Sequence, residues 1–396
     1  MLNLIDSNLL NGKKVIIYGF GVTGKWLSGN IESAGFVDTD NKKWGENFNG
    51  LSVHGPNYLK DFNENLIVVV TVVDIFDVLT ILDYYKIKWI SLVDLVGDRL
   101  SSFGVQKNIT LESNDFLQYS IETVITCQNA YYSKDSFYLR SVDLVITEKC
   151  TLKCKDCANL MQFYDDPKNY DTKYILDGLV QLASSCDFIH EVRVIGGEPF
   201  LNKDIYDILK MVSNIQNINK IVIYTNGMIP PKPDRLKHLD KKKIVFSVTD
   251  YAELGRNLDK TIKLLKDEKI PYRLHPPEHW TDSGRILEER MDIDATKENF
   301  AKCCGKNLFT LIGDNLYRCP FVANADQFNG IPKHFTNSIK TKNSKAELKK
   351  YCYGIEYIDA CGLCPGRSFD AHIITPALQT KNPLPFKRFI PIESSV

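Results

Sequence analysis

Residues 142–157, which read VDLVITEKCTLKCKDC, decide the fold of this chain. An apolar run typical of a buried strand is followed directly by three cysteines, Cys150, Cys154 and Cys157. Three thiolates on one short loop can wrap one face of an iron–sulfur cubane, and the missing fourth cysteine leaves one iron open for a further ligand. Thiolates also bind zinc and copper(I), so the spacing alone leaves a structural zinc loop open. The stretch therefore predicts a strand that ends in a metal-binding loop.

Alternating strands and helices continue beyond this loop. Apolar runs predict strands at 142–146, 191–195, 220–224, 244–248 and 272–274, and helical periodicity predicts helices at 176–183 and 258–265. Repeated βα units make a parallel sheet that is doubly wound or barrel-like, and both arrangements place the active site at the carboxyl ends of the strands. The pattern therefore predicts an α/β fold in which the residues that follow these strands share one site.

A second motif, Gly196-Gly197-Glu198-Pro199, follows the second of these strands. Paired glycines let a ligand approach the backbone closely. Exposed carbonyls and the Glu198 carboxylate would suit a cationic amino group. A plain strand-to-helix turn explains the same residues equally well.

Together the C-x3-C-x2-C loop and the Gly-Gly-Glu-Pro motif resemble the radical SAM superfamily in sequence, order and strand placement, over about residues 141–370. The resemblance implies a partial (β/α)6 barrel in which Cys150, Cys154 and Cys157 bind a [4Fe–4S] cluster. The open iron would chelate S-adenosylmethionine (SAM), and the Gly196–Pro199 motif would line the amino group of its methionine part.

Weaker correspondences extend the implied SAM site. Thr225, Asn226 and Ser247 match positions that often border SAM in such barrels. The loop departs from the family pattern at Asp156, where an aromatic residue is common. This difference affects the expected packing of the loop, and the three cysteines that would ligate the cluster are unchanged.

A second group of cysteines lies on both sides of a predicted hairpin, whose strands at 308–312 and 316–319 flank a Gly-Asp-Asn turn. It resembles the auxiliary-cluster extension called a twitch, the short relative of the SPASM domain, and so implies a second [4Fe–4S] cluster. The implied ligands, with Cys303 as the alternative to the first, are Cys304, Cys319, Cys361 and Cys364. A zinc ribbon stays open, because a C-x2-C pair suits zinc equally well.

Residues 1–97 are predicted to form a small Rossmann-like α/β domain. Gly19-Phe-Gly21-Val-Thr-Gly24 fits the dinucleotide fingerprint, and Asp38 or Asp40 would reach a ribose. Trp26 stands where a phosphate-binding P-loop needs Ser or Thr, so a P-loop is rejected. The segment looks like the small domain that precedes some sugar-modifying transferases. It is short for a complete dinucleotide site, so a structural or docking role is favoured over nucleotide binding.

The predicted organisation has five parts. They are a Rossmann-like domain at 1–97, a helical linker at 98–140, the radical SAM barrel at 141–295, the auxiliary-cluster domain at 296–372 and a loosely packed tail at 373–396.

Composition limits the partners and the compartment. Lys+Arg and Asp+Glu both number 49, so the formal net charge is zero. A net charge of zero gives no indication that the protein binds nucleic acid or an anionic membrane. The apolar run at 66–73 is too short to span a bilayer, and residues 1–14 lack a secretory signal. The protein is therefore expected in the cytoplasm, where its 11 cysteines would stay reduced and their clustering indicates metal.

The predicted function is reductive cleavage of SAM and abstraction of a hydrogen atom from a sugar-like or nucleotide-sugar small molecule. The cofactors carry this chemistry, and an electron donor such as flavodoxin or ferredoxin would supply the electron. Oxidation of the substrate is favoured. The alternatives are a ribosomal-peptide maturase, an epimerase that uses Cys303 or Cys352 as hydrogen donor, and a non-catalytic scaffold with zinc in both sites.

Further residues are candidates for contact with the substrate. His275, His279 and Trp280 lie near the end of the fifth strand, and Arg193 on the second strand could hold a carboxylate or phosphate. Such lone residues are more often structural. Cys127 and Cys186 are predicted to be small buried residues.

Overall fold

The computed structural model describes residues 7–62, 65–97, 114–133, 135–275, 280–282, 285–368 and 371–389. The chain divides into two compact units, Met1–Ser136 and Phe137–Val396. None of the described helices is both long and apolar enough to cross a membrane.

The first unit is a parallel sheet covered by helices. Its elements are β1 (Lys14–Tyr18), α1 (Val22–Ser28), β2 (Phe36–Val37), β3 (Asn47–Phe48), β4 (Leu51–His54), β5 (Leu66–Val70), α2 (Phe76–Tyr84), β6 (Trp89–Ser91), α3 (Leu92–Val96) and α4 (Asn114–Tyr132). The strand order is β3-β4-β2-β1-β5-β6, and only the β3–β4 pair is antiparallel among these described strands.

Successive residues of β1 face opposite layers, as the period of a strand requires. Val15 and Ile17 pack with α1, α3 and α4, whereas Ile16 and Tyr18 pack with α2. Burial on both faces gives the continuous apolar runs that predicted these strands.

Helix α4 lies in the stretch that was predicted as a linker. Leu117, Ile121, Val124 and Ile125 are buried along one face of α4 and join the core of the first unit. This helix is therefore part of a packed unit. Residues 98–113 of the predicted linker lie outside the described residues.

The second unit contains the larger sheet. Its elements are β7 (Tyr138–Thr147), α5 (Thr172–Ser185), β8 (Phe188–Gly196), α6 (Ile205–Ser213), β9 (Ile218–Thr225), α7 (Pro233–Leu236), β10 (Ile244–Thr249), α8 (Leu258–Asp267), β11 (Tyr272–His275), β12 (Trp280–Thr281), α9 (Ile293–Lys302), β13 (Thr310–Ile312), β14 (Asn315–Tyr317), α10 (Pro320–Gln327), β15 (Ser338–Lys340), α11 (Lys345–Tyr353) and β16 (Ile373–Ile374).

This sheet has the order β11-β10-β9-β8-β7-β13-β14-β15. Strands β7 to β11 and β13 run parallel, and the β13–β14 hairpin and β15 continue the sheet in antiparallel pairing. The α/β prediction is confirmed, and the parallel strands are consistent with a partial barrel. The sixth parallel strand, β13, comes from the segment that was predicted to belong to the auxiliary domain.

The C-terminal segment is held more firmly than its proline content suggested. Backbone hydrogen bonds join Leu378 O to Lys155 N (2.7 Å) and Lys153 O to Thr380 N (2.8 Å). The Phe386 ring stacks on Phe328, with 4.8 Å between the ring centroids. Residues 377–386 are therefore attached to the rest of the unit by long-range contacts, which leave no local pattern in the sequence, although none of these residues is buried.

Candidate functional site

The loop that follows β7 carries the three predicted cluster cysteines. Cys150, Cys154 and Cys157 all line one cavity of about 400 Å³ at the carboxyl ends of the strands. Short backbone contacts shape the loop, including the 3.3 Å hydrogen bond from Cys157 N to Cys154 O. The structure therefore brings the three thiols to the wall of a single cavity, as the spacing predicted.

Burial keeps these thiols protonated in the absence of a cofactor. It raises the pKa of the Cys150 thiol to about 12 and that of Cys154 to about 11, and it also raises the pKa of Cys157. A metal that binds here must displace the three protons, so binding releases acid and weakens as the pH falls.

The glycines of the Gly-Gly-Glu-Pro motif let the cysteine loop approach the end of β8. A Cβ on Gly197 would lie 2.2 Å from Lys149 O and 2.8 Å from the Cβ of Cys150. Two hydrogen bonds fasten the same contact, from Gly197 N to Thr147 O (3.1 Å) and from Glu198 N to Lys149 O (2.7 Å). The two motifs are thus parts of one surface, and Gly196 and Gly197 line its cavity.

Glu198 supports the cavity wall from behind. Its side chain is fully buried and accepts hydrogen bonds from Thr225 Oγ1 (2.9 Å), Asn226 N (2.9 Å) and Phe200 N (3.2 Å). Burial raises the pKa of Glu198 to about 7. The carboxylate therefore holds the end of β9 against β8, and neither Glu198 nor Pro199 is among the described residues that line the cavity.

The weaker predictions for the SAM site have mixed outcomes. Thr225 and Asn226 line the cavity, and Asn226 Nδ2 donates to Thr151 Oγ1 at 2.9 Å on the cysteine loop. Ser247 is buried and shares a 3.1 Å hydrogen bond with His275 Nε2, and it is not among the described lining residues. Asp156, the departure from the family pattern, does line the cavity.

The cavity is also lined by residues that sequence reasoning largely missed. They are Thr249, Tyr251, Trp280, Thr281 and Arg367. Arg367 donates from Nε to Thr281 Oγ1 at 3.4 Å and is the one cationic side chain among the described lining residues. Trp280 was a candidate from its place after the fifth strand, whereas no motif marks Arg367.

The C-terminal cysteines form a second group. Cys303, Cys319 and Cys364 lie close enough for their charges to raise the pKa of Cys361, and burial is the larger cause. Cys303 likewise raises the pKa of Cys319 and Cys364. The structure therefore gathers Cys303 with these three thiols. Cys304, the residue preferred from the sequence, is exposed.

Asn299 fixes the C-x2-C turn of this second group. Its Nδ2 donates to Cys361 O (2.8 Å) and to Cys364 O (2.9 Å). Backbone amides also donate to the sulfurs, from Gly305 N to Cys303 and from Gly366 N to Cys364, both at 3.4 Å. Donors that already point at sulfur suit thiolates carrying negative charge.

The donor chemistry of both groups fits an iron–sulfur cluster. Thiolates select such clusters over hard metals, and a cubane is held by sulfurs distributed around it. The first group supplies three thiols around one cavity with room beside them, and the second supplies four. Within the parts of the chain that the structure describes, no three or more His, Cys, Asp or Glu side chains are gathered to hold a single metal ion.

Other candidate residues lie away from the cavity. Arg193 is buried beside Asp143, with 2.6 Å between Nε and Oδ1, and its guanidinium lies 5.8 Å from the centroid of the Tyr224 ring. This pairing gives Arg193 a structural role inside the barrel. His279 lies outside the described residues.

The remaining cysteines are buried in apolar cores. Cys127 is 1% exposed and Cys186 is 6% exposed, as predicted. Cys352 is also buried in the core beneath the larger sheet and is not among the described residues that line the cavity.

The glycine loop of the first unit has its own local partners. The carboxylate of Asp38 accepts from Phe20 N (2.8 Å), from Asp40 N (2.9 Å) and from Lys43 Nζ (3.1 Å). The Lys25 ammonium lies 4.1 Å from the centroid of the Phe20 ring. Asp38, one of the two acidic residues predicted to reach a ribose, is therefore already bonded to the backbone of the loop, and the other, Asp40, accepts from Lys42 N at 3.2 Å.

We expect the first unit to bind NAD neither tightly nor stoichiometrically, because Asp38 has no carboxylate oxygen left without a donor. Titration calorimetry of the whole chain with NAD should show no saturable heat. Tight one-to-one binding that disappears in a Gly21→Val variant would contradict this expectation.

Comparison with known families identifies the barrel segment. Residues 144–272 match the model of the Radical SAM superfamily. The match covers the end of β7, β8 to β10 and the start of β11, and it includes the cysteine loop and the Gly-Gly-Glu-Pro motif. The resemblance that these motifs carried is thereby confirmed for this segment.

Several curated relatives are proteins named GTP 3′,8-cyclase. The one from Clostridium acetobutylicum is 34% identical over 150 residues, which are 35% of this chain and 46% of that protein. The one from Haemophilus influenzae is 31% identical over 180 residues, which are 45% of this chain and 48% of that protein. The chain thus spans less than half the length of these relatives.

Solved structures show partial likeness. The crystal structure of BtrN in complex with AdoMet and 2-DOIA matches with a TM-score of 0.38 and 15% identity, covering 60% of this chain and 98% of that one. Streptococcus suis SuiB bound to S-adenosylmethionine matches with a TM-score of 0.29 and 20% identity, covering 39% of each chain.

Proposed function

We propose that this chain, which carries a radical SAM domain, cleaves SAM reductively and oxidises or otherwise tailors a sugar-like or nucleotide-sugar small molecule. The observation that carries the proposal is the single cavity lined by Cys150, Cys154 and Cys157 on one side and by Gly196 and Gly197 beside them. A [4Fe–4S] cluster and SAM supply, when bound, a 5′-deoxyadenosyl radical that abstracts a hydrogen atom from the substrate.

The residues of the chain hold and orient these cofactors. Cys150, Cys154 and Cys157 would ligate the cluster, leaving the cavity beside them for SAM. Gly196 and Gly197 line the cavity, and their backbone would receive the methionine part. Glycine is required at both positions, because a side chain would collide with the cysteine loop or the end of β7. The hydrogen bonds that Thr225 Oγ1 and Asn226 N donate to the positioning residue Glu198 would keep this part of the cavity wall rigid. Pro199 and Ser247 are not among the described lining residues, so they would contribute to the SAM site only through the residues that line it.

The other lining residues of the cavity support a polar, ring-shaped substrate. Threonine hydroxyls at 249 and 281 offer hydrogen bonds, and the Tyr251 and Trp280 rings meet edge to face with 6.5 Å between centroids. Arg367 adds a positive charge that suits a phosphate. This combination favours a sugar that carries a phosphate or nucleotide over an uncharged sugar.

The second cysteine group supports an auxiliary [4Fe–4S] cluster. We assign its ligands as Cys303, Cys319, Cys361 and Cys364, in place of the set with Cys304. Cys304 is exposed, whereas Cys303 is only partly exposed and lies close enough to Cys361 to affect its pKa. Such a cluster provides an electron acceptor for a substrate radical, which favours oxidation.

A GTP substrate is the second candidate, taken from the name of the relatives. Arg367 would suit its phosphates as well as those of a nucleotide sugar. The relatives match over less than half of their length, so their name supports the nucleotide class more than the reaction. A peptide substrate is a further alternative, and a zinc scaffold is the alternative that the experiment below separates from an enzyme.

Anaerobic reconstitution with iron and sulfide tests the proposal. The chain should bind about eight irons, the content of two [4Fe–4S] clusters. Dithionite, or a reduced flavodoxin or ferredoxin, should then convert added SAM to 5′-deoxyadenosine. Stoichiometric zinc with no uptake of iron would overturn the proposal in favour of a scaffold.

A further inference from the structure

Residues 377–380, which we call the strap, cross the cysteine loop from the far C-terminal end of the chain. An isolated antiparallel bridge pairs Gln379 with Cys154. The backbone bonds between Lys155 and Leu378 and between Lys153 and Thr380 fasten its two sides. The strap thus lies directly against one of the three thiols.

The side-chain amide of Gln379 is fixed in one orientation. Its Oε1 accepts from Lys153 N at 2.8 Å, and its Nε2 donates to Ala377 O at 2.7 Å. Exchanging the oxygen and nitrogen would place donor against donor and acceptor against acceptor, so the hydrogen-bond network settles the assignment. The remaining N–H of Nε2 points at Cys154 Sγ, at 3.2 Å.

We propose that Gln379 is a positioning residue for the cluster, which donates a hydrogen bond to the Cys154 thiolate and raises the reduction potential of the cluster bound there. The inference rests on the proposed function, since it presupposes that Cys154 ligates iron. Cys154 is 7% exposed, and the exposed Gln379 side chain covers it on the solvent side.

The physical reason is the charge that reduction adds. An electron added to the cluster increases the negative charge on its sulfurs, and a donor aimed at one of them stabilises the reduced state more than the oxidised state. Hydrogen bonds to sulfur are one of the features that set cluster potentials, and Gln379 donates one. Its loss should therefore make the cluster harder to reduce.

Two substitutions separate donation to sulfur from attachment of the strap. Gln379→Glu keeps an acceptor for Lys153 N, which joins the strap to the cysteine loop, but it loses the donor to Cys154 and to Ala377 O and adds a negative charge. Gln379→Leu removes the donor without adding charge. We expect the midpoint potential of the SAM-binding cluster to shift to more negative values in both variants, and further in the glutamate variant.

The measurement is a redox titration followed by electron paramagnetic resonance, using the part of the reduced signal that changes when SAM is added. Leu378→Ala is the matched control, because this exposed side chain is on the strap while its backbone bond to Lys155 is kept. Its potential should equal that of the unmodified protein. Unchanged potentials in both Gln379 variants, with iron bound, would overturn the inference, whereas an unmodified chain without a SAM-sensitive cluster would overturn the proposed function instead.

Discussion

Alanine at Cys150, Cys154 and Cys157 is expected to halve the bound iron, from about eight to about four per chain, and to abolish SAM cleavage. These three thiols line the cavity beside the open glycine backbone, and the second cysteine group lies elsewhere in the sequence and keeps its own donors. Iron analysis after anaerobic reconstitution gives the stoichiometry, and chromatography of 5′-deoxyadenosine gives the activity.

A cysteine outside both groups provides the control. Cys186 is 6% exposed in the core beneath the larger sheet, so Cys186→Ala should lower stability slightly while leaving both iron content and SAM cleavage intact. SAM cleavage that survives in the triple variant would refute the assignment of these cysteines, even if the iron content fell.

The parts of the fold that sequence predicted best are those with a strong local pattern. Strands β8 and β10 are buried on both faces, so their residues form nearly continuous apolar runs with polar turns at each end. The cysteine loop and the Gly-Gly-Glu-Pro motif could be placed together because each directly follows a strand, and parallel strands end at the same edge of a sheet. Tertiary structure was not needed for these inferences.

The remaining features depend on contacts between distant residues. Gln379 and Cys154 are 225 positions apart, and the strap that joins them has no periodicity. Cys303 and Cys304 are neighbours in sequence, so spacing could not decide which thiol faces the other three. Arg367 reaches the cavity through an irregular segment after the last cysteine.

Glu198 shows a second limit of prediction from sequence, which concerns the direction of a side chain. A motif identifies the residue but leaves the direction of its side chain open, and here the carboxylate points to Thr225 and Asn226 behind the wall. The prediction that Glu198 takes part in the SAM site thus stays a prediction, now with a positioning role in place of direct contact.

Replacing Cys361 and Cys364 by serine is expected to remove the auxiliary cluster and to uncouple the enzyme. Bound iron should fall from about eight to about four per chain, while reduction with dithionite should still release 5′-deoxyadenosine from SAM. Both thiols belong to the partly exposed group with Cys303 and Cys319. Cys304→Ser is the matched control, and because Cys304 is exposed it should keep all the iron. Loss of half the iron in that control would restore Cys304 as the ligand.

The fate of the substrate distinguishes oxidation from epimerisation. Oxidation at a hydroxyl-bearing carbon removes one hydrogen atom, one proton and one electron, and the electron needs an acceptor, which the second cysteine group would hold. Epimerisation instead needs a hydrogen atom returned from a thiol, yet Cys352 is buried in a core away from the cavity and Cys303 is gathered with the cluster ligands. With a sugar nucleotide that supports turnover, we therefore expect a product lighter by two hydrogens and none at all from the Cys361/Cys364 variant. A product of unchanged mass that gains one deuterium at carbon in heavy water would establish epimerisation, and it would make Cys303 and Cys352 the next residues to replace.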